Sequence, residues 1–105
     1  MNYSNNIFVF CENLSKYFGV FFSPFVLKRV RDTKPQFEIK NEDEKRKNVK
    51  GAFSIENSRK IKEKSILLID DVFTTGSTIN ECARALLDSD ASRVQVLTLM
   101  RAVQI

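Results

Sequence analysis

The sequence predicts an α/β fold with a mostly parallel sheet flanked by helices. Residues 66–69 are four consecutive aliphatic residues, the pattern of a strand that is buried on both faces of a parallel sheet. Helical spacing follows over residues 79–87, and a second apolar strand pattern occupies residues 94–99. This order predicts a βαβ crossover, which is right-handed by the general rule.

The segment between the first strand and the helix carries polar groups that suit a phosphorylated ribose. Asp70 and Asp71 follow the strand, and their carboxylates could accept hydrogen bonds from ribose hydroxyls or assist a magnesium ion. Gly76, in a loop of hydroxyl side chains, lets the backbone approach an anion at the N-terminus of the following helix. The alternative is a plain turn with a capping residue.

This segment resembles the signature of type I phosphoribosyltransferases, which bind 5-phosphoribosyl-1-pyrophosphate (PRPP). The resemblance implies that Asp70 and Asp71 are catalytic and hold the ribose hydroxyls, while the loop from Thr74 to Thr78 surrounds the 5-phosphate. It implies Mg²⁺ as a cofactor that PRPP carries, with help from the two aspartates. Thr74 stands where purine-salvage members have an aspartate, which argues against that subclass. The implied PRPP-binding residues are Asp70, Asp71, Val72, Phe73, Thr74, Thr75, Gly76, Ser77 and Thr78.

The middle of the chain resembles the ComF branch of the same superfamily. Residues 27–36 match an Arg-x-Arg-x-Thr-x-x-Gln element, and residues 46–53 match a basic Asn-Val-x-Gly-Ala-Phe element. The resemblance implies a competence-associated protein that is linked indirectly to the DNA-uptake machinery. ComF proteins also carry an N-terminal zinc ribbon and a first strand, which residues 1–105 do not match.

We therefore expect a single phosphoribosyltransferase-like domain over residues 1–105 that is incomplete at its N-terminus. The missing strand would leave an unpaired sheet edge, which predicts a homodimer or aggregation. It would also weaken PRPP binding and turnover, so an inactive fragment is one alternative. No motif identifies the acceptor substrate.

Positive charge is concentrated in the middle of the chain. Thirteen of the seventeen Lys and Arg residues lie between Lys28 and Lys64, against seven of the thirteen acids. This charge suits PRPP, and it equally suits nucleic acid, so a non-catalytic nucleotide- or DNA-associated module is a second alternative. Arg29, Arg31 and Arg46 are the candidates for a basic wall beside the pyrophosphate.

The remaining segments predict a helix and two strands around the βαβ unit. Residues 5–22 have the spacing of an amphipathic helix that Ser4 or Asn5 caps and Gly19 ends. Residues 25–31 and 49–55 predict short strands, the second pairing either with the sheet or with another segment of the hood over the site. The charged residues 38–50 predict either a short helix capped by Asn41 or a mobile lid.

Two further predictions concern buried apolar positions in the helices. In the first helix the buried stripe would comprise Ile7, Phe10, Cys11, Leu14, Tyr17, Phe18 and Phe21. In the helix over residues 79–87 the inner side would comprise Ile79, Ala83, Leu86 and Leu87.

Several classes of function are excluded by composition. The chain has no histidine, which excludes Ser-His and Cys-His catalysis and imidazole-bound zinc. Cys11 and Cys82 are far apart in sequence and predict free thiols in a reducing compartment. Residues 7–11 are too short an apolar run for a membrane span or a signal sequence, so we expect a cytoplasmic protein without membrane contacts.

Overall fold

The computed structural model describes residues 5–35, 38–73 and 76–101. Within these ranges the chain forms three α-helices, four β-strands and a short 3₁₀ helix at Ser58–Lys60. In chain order the helices and strands are α1 Asn5–Phe18, β1 Leu27–Arg29, α2 Glu42–Val49, β2 Phe53–Ile55, β3 Ser65–Phe73, α3 Ser77–Asp88 and β4 Arg93–Arg101.

The unit β3-α3-β4 confirms the predicted βαβ crossover. β3 and β4 are parallel, with Ile66 opposite Val94 and Ile69 opposite Leu97. The sequence placed Asp70 and Asp71 beyond the end of the strand, and this was wrong because β3 continues to Phe73. The reason is the partner strand, since β4 runs to Arg101 and continues the pairing beyond residue 69.

β1 and β2 form a separate antiparallel ribbon, in which Leu27 lies opposite Ile55 and Arg29 opposite Phe53. This pairing decides between the two predicted partners of β2, because β2 does not join the parallel pair. Both strands are shorter than predicted. The second is shortened because α2 continues to Val49 and Gly51 then turns the chain with a φ of 70°.

α1 ends at Phe18, four residues before the predicted boundary. Gly19 adopts a φ of 66° there, which confirms it as the stop that its lack of a Cβ permits. The predicted buried stripe is correct at Ile7 but wrong toward the C-terminal end, because Tyr17, Phe18 and Phe21 are exposed. The predicted caps lie outside the described part, since Ser4 and the side chain of Asn5 are not described.

The charged segment forms the helix α2 and not a lid without regular structure. Asn41 caps it, because its Oδ1 accepts hydrogen bonds from the main-chain N–H groups of Asp43 and Glu44 at 2.8 and 3.3 Å. Acidic residues occupy the first turn, and Arg46 and Lys47 occupy the last. Both charge patterns stabilise the helix through its dipole.

The core lies between α3, the β1–β2 ribbon and one face of β3 and β4. It has two clusters, one around Val26, Ile61, Leu86 and Ala91, and one around Leu27, Ala52, Phe53 and Cys82. Ile66 and Leu68 of β3 pack against these clusters, whereas the intervening Leu67 is 52% exposed. The prediction that this strand is buried on both faces was therefore wrong at Leu67, because Leu67 points away from α3 and from the two core clusters.

Candidate functional site

The candidate site lies where β3 passes into α3, and only part of it is described. Thr74 and Thr75 are outside the described residues, and the structure describes only the backbone of Asp71, Val72 and Phe73. The predictions for the side chains of these five residues therefore lie outside the described part. What the structure describes is Asp70 on one side of the loop and the first turn of α3 on the other.

Asp70 points to the α3 side of the sheet, because strand residues alternate and Ile66 and Leu68 both pack on that side. Its side chain is half-buried. Cys82 on α3 is 2% exposed. Burial is the main reason why the pKa of its thiol is raised to about 12, and the negative charge of Asp70 contributes to the rise.

Arg29 acts on the same thiol in the opposite direction, lowering the pKa of Cys82. Arg29 and Asp70 therefore both act electrostatically on one buried thiol, although they are far apart in the sequence. The Arg29 guanidinium is positioned by two contacts. Its Cζ is 5.3 Å from the centre of the Phe53 ring, and its Nη1 donates a hydrogen bond to the Thr33 Oγ1 at 2.6 Å.

Gly76 precedes the first turn of α3 with a φ of −79°, which other residues also adopt. A Cβ at this position would make an ordinary contact of 3.4 Å with the Nδ2 of the Asn80 side chain. The prediction that Gly76 lets the backbone approach an anion stays a prediction. Ser77 is buried and Thr78 is half-buried in the turn that follows.

The other two basic candidates have separate environments. The Nη2 of Arg31 donates hydrogen bonds to the carbonyl oxygens of Asn48 and Lys50, both at 2.7 Å, and so holds the C-terminal end of α2. Arg46 forms an exposed ion pair with Asp43 one turn earlier. Of the three basic candidates, Arg29 acts on the same thiol as Asp70, while the Arg31 guanidinium is engaged with the backbone.

A cleft of about 430 Å³ lies between α2 and α3, and Ser77 is one of the residues that line it. Its cationic side chains come from both helices, and its polar groups include the first turn of α3. A combination of cationic side chains and a helix N-terminus favours the binding of an anion. The residues that line the cleft are Asp43, Arg46, Lys47, Val49, Lys50, Ser77, Asn80, Glu81 and Arg84.

Glu81 is a buried residue that the sequence analysis missed. Its carboxylate accepts a hydrogen bond from the Gly51 N–H at 2.9 Å and two from Arg84, at 3.1 and 2.5 Å. The hydrogen bonds from Arg84 are the main reason why the pKa of Glu81 is lowered. The sequence contains one hint of this role, the spacing of three residues between Glu81 and Arg84. By itself this spacing predicts only an ion pair on the surface of a helix.

The buried side of α3 also differs from the prediction. Ile79 and Leu86 are buried as expected, whereas Leu87 is 49% exposed. Cys82 and Ala85 occupy the inner positions instead, because the core on this side includes the β1–β2 ribbon as well as the sheet.

Two general features of the described residues bear on function. No group of three or more Cys, Asp or Glu residues in them could hold a metal ion. No helix in the described ranges is long and apolar enough to cross a membrane. Both cysteines are free thiols, which confirms the prediction; Cys82 is buried and Cys11 is partly exposed.

The pattern of the phosphoribosyl transferase domain family matches residues 8–104, which is nearly the whole chain. The chain therefore belongs to this family, and its α/β architecture is of the phosphoribosyltransferase type. Within the family it is ComF-like, as its curated relatives indicate.

It is 36% identical over 93 residues to the DNA utilization protein YhgH of Salmonella typhi, which covers 89% of this chain and 40% of the relative. It is 38% identical over 78 residues to Competence protein F of Haemophilus influenzae, covering 73% of this chain and 34% of that protein. The YhgH protein of Escherichia coli K12 is 34% identical over 93 residues, with coverage of 89% and 40%. The chain thus spans about two fifths or less of the length of these relatives. No solved structure matches it significantly.

Proposed function

We propose that this chain binds PRPP together with Mg²⁺ as a cytoplasmic phosphoribosyltransferase-type domain. The observation that carries the proposal is the position of Asp70, which lies on the carboxyl-terminal half of a parallel strand and faces the α3 side of the sheet. In open α/β sheets, ligands bind in the crevice outside the carboxyl ends of the strands. A half-buried carboxylate in that crevice offers an acceptor for ribose hydroxyls, and Arg29, which acts on the same Cys82 thiol as Asp70, offers a cation for phosphate.

The donor set suits the proposed metal. Carboxylate oxygens are the ligands that Mg²⁺ accepts, and Mg²⁺ is usually bound by one or two carboxylates plus substrate phosphates. Asp70 and Asp71 would supply these oxygens, while the phosphates of PRPP would supply the rest. When bound, Mg²⁺ would neutralise charge on the pyrophosphate as it leaves.

The proposed chemistry requires positioning and charge but no covalent nucleophile. Asp70 and Asp71 would hold the ribose hydroxyls, and the segment from Thr74 to Thr78 would hold the 5-phosphate. The bond between the anomeric carbon and pyrophosphate would break while the acceptor, after losing a proton, bonds to that carbon. Arg29 is the basic candidate that we place beside the leaving group, since it acts on the same Cys82 thiol as Asp70.

Association with DNA is the second candidate function. One relative is named a DNA utilization protein and another a competence protein. The α2 helix also contains three consecutive basic residues, Lys45, Arg46 and Lys47. Salt-sensitive DNA binding that is lost when these three residues are replaced would support this function. PRPP binding would instead depend on Asp70 and Asp71, so the two proposals separate experimentally.

The experiment that tests the PRPP site is calorimetric titration of the chain with PRPP and Mg²⁺. We expect binding by the wild type and its loss in the double variant Asp70→Asn/Asp71→Asn. Asp90→Asn is the matched control, because Asp90 has a φ of 72°, which asparagine tolerates, and lies in the turn before β4. A folded wild-type chain that does not bind PRPP, or equal loss in Asp90→Asn, would overturn the proposal.

A further inference from the structure

A group of exposed cations lies at the amino-terminal ends of β3 and β4. It occupies the segment 57–64, which leads into β3, and the turn 90–93, which leads into β4. Two main-chain hydrogen bonds join these segments. The Glu63 N–H donates to the Asp90 carbonyl oxygen at 2.7 Å, and the Ser92 N–H donates to the Lys64 carbonyl oxygen at 2.9 Å. The two segments therefore form one continuous surface, which we call the basic surface.

The main chain of the basic surface is anchored by the core beneath it. Ile61 and Ala91 are buried in the same core cluster. The 3₁₀ helix at Ser58–Lys60 precedes Ile61, and the Lys62 N–H donates to the Ser58 carbonyl oxygen at 3.1 Å. The burial of Ile61 leaves Lys60 and Lys62 exposed on either side of it, so a fixed backbone presents these cations to solvent.

The basic surface carries most of the net charge of the chain. Five cations against two acids give it a net charge of +3, whereas the whole chain has +4. All seven charged residues are exposed, and none of the five cations forms an ion pair within the described residues. The cations are Arg59, Lys60, Lys62, Lys64 and Arg93, and the acids are Glu63 and Asp90.

The cations of α2 differ from these in having acidic partners on their own helix. Lys45 pairs with Glu42 at 3.3 Å, and Arg46 pairs with Asp43. The helix contains three acids and three cations, so its own net charge is zero. A polyanion that binds α2 would compete with these ion pairs, whereas one that binds the basic surface would not.

The uncharged residues of the basic surface suit phosphate and not a membrane. Asn57, Ser58 and Ser92 are exposed, and amide and hydroxyl side chains commonly contact the phosphates of DNA. The apolar residues of the two segments, Ile61 and Ala91, are both buried. The basic surface therefore has no exposed apolar side chain to insert into a lipid layer, which membrane-surface segments use for binding.

We propose that the basic surface binds the phosphate backbone of duplex DNA without reading its sequence. The two segments contain no aromatic residue that could stack on unpaired bases, and a duplex has a higher phosphate density than a single strand. This inference rests on the second candidate function, association with DNA. It places the contact at the opposite end of β3 from the PRPP site, since Asp70 lies five residues beyond Ser65, roughly 17 Å along the strand.

The test is the affinity for a labelled DNA duplex of mixed sequence, measured by fluorescence anisotropy over a range of salt concentrations. We expect the wild type to bind, and the triple variant Lys60→Gln/Lys62→Gln/Lys64→Gln to have a dissociation constant at least tenfold higher. The slope of log K against log salt concentration should also become shallower by roughly 2.7, since each phosphate contact contributes about 0.9. A second duplex of unrelated sequence should bind equally well.

The matched control is Lys16→Gln/Lys34→Gln/Lys40→Gln. These three lysines are also exposed, they lie outside both the basic surface and α2, and their replacement changes the net charge by the same amount. The control should change the dissociation constant by less than about threefold, because salt screens charges that do not contact phosphate. PRPP binding should be the same in both triple variants and the wild type, so the PRPP proposal is tested separately.

Three results would overturn the inference. Equal loss of binding in the control would show that only the net charge matters. Loss confined to Lys45→Gln/Arg46→Gln/Lys47→Gln would place the contact on α2, and association with DNA would then stand without the basic surface. A folded wild type that does not bind the duplex would overturn both, and its binding to phosphatidylserine vesicles would identify a membrane surface instead.

Discussion

The Glu81 carboxylate on α3 accepts a hydrogen bond of 2.9 Å from the main-chain N–H of Gly51, thirty residues earlier in the chain. Gly51 lies just after α2, so this bond fastens the end of one helix to the side of another. Arg31 binds the carbonyl oxygens of Asn48 and Lys50 in the same turn. The Glu81 carboxylate therefore binds the N–H of this turn, and the Arg31 guanidinium binds its carbonyl oxygens. Together the two contacts fix the turn beside α3.

Replacing Glu81 by Gln should destabilise the fold by about 1–2 kcal/mol, since a buried hydrogen-bonded carboxylate loses its charge-assisted partners. The pKa of Glu81 is lowered from 4.5 by Arg84 above all, so its contribution is present above about pH 4.5 and is lost as pH falls through the folded value. Urea unfolding at pH 7 and pH 3 should therefore show a difference between wild type and variant that shrinks in acid.

Asp88→Asn is the control for this prediction, because Asp88 pairs with the same Arg84 but is mostly exposed. It should change stability by less than about 0.5 kcal/mol. An equal effect of the two variants would show that the bond to Gly51 contributes nothing beyond a surface ion pair.

Arg31→Ala should loosen the end of α2, because two carbonyl oxygens lose their donor. We expect a loss of about 1 kcal/mol, with Arg31→Lys recovering only part because lysine lacks the planar fork. Arg46→Ala removes an exposed ion pair one turn away and should cost less than about 0.5 kcal/mol. Hydrogen exchange at residues 49–52 measures the effect; unchanged protection in Arg31→Ala would contradict the structural role.

The Cys82 thiol should make the fold sensitive to alkali. Burial raises its pKa from 9.0 to about 12, so the neutral thiol is favoured in the fold. Its stabilising contribution is complete below about pH 9 and is lost as pH rises toward 12. Urea midpoints at pH 8 and pH 10.5 should differ more in the wild type than in Cys82→Ala; the same difference in both would contradict the prediction.

The two cysteines should also differ in reactivity. Cys11 is partly exposed and Cys82 is buried, and burial raises the pKa of both thiols. A thiol reagent at neutral pH should modify Cys11 first and reach Cys82 only when the chain unfolds, since access and thiolate fraction control the rate. Rates measured on Cys11→Ala and Cys82→Ala separate the two sites, and faster modification of Cys82 would contradict its burial.

Asn41→Ala should destabilise α2 by about 1 kcal/mol, because the two N–H groups that donate to the Asn41 Oδ1 would lose their acceptor. Asn41→Asp should retain the stability, since aspartate caps helices equally well. Exchange rates of the Asp43 and Glu44 amides report the change directly. Equal protection in Asn41→Ala would mean that packing on α3 and not the cap maintains the helix.

Local features of the chain were predictable from the sequence because they depend on neighbouring residues. The apolar run at residues 66–69 and the spacing of α3 predicted the βαβ unit, and the stop at Gly19 and the cap at Asn41 were both correct. Glycine tolerates positive φ and asparagine satisfies free N–H groups in any fold, so these two features do not depend on distant contacts. The motif from Asp70 to Thr78 likewise indicated the family to which the chain belongs.

Tertiary structure decided the features that require residues distant in sequence. β3 extends to Phe73 because β4 provides its partners, and β2 pairs with β1, although the sequence left the partner of β2 open. Glu81 became a buried anchor only because Gly51 and Arg84 meet it, and Arg29 and Asp70 act on one thiol only because the ribbon packs against β3 and α3. Local patterns specify which segments form helices and strands, but the partner of a polar group is chosen by the packing of the whole chain.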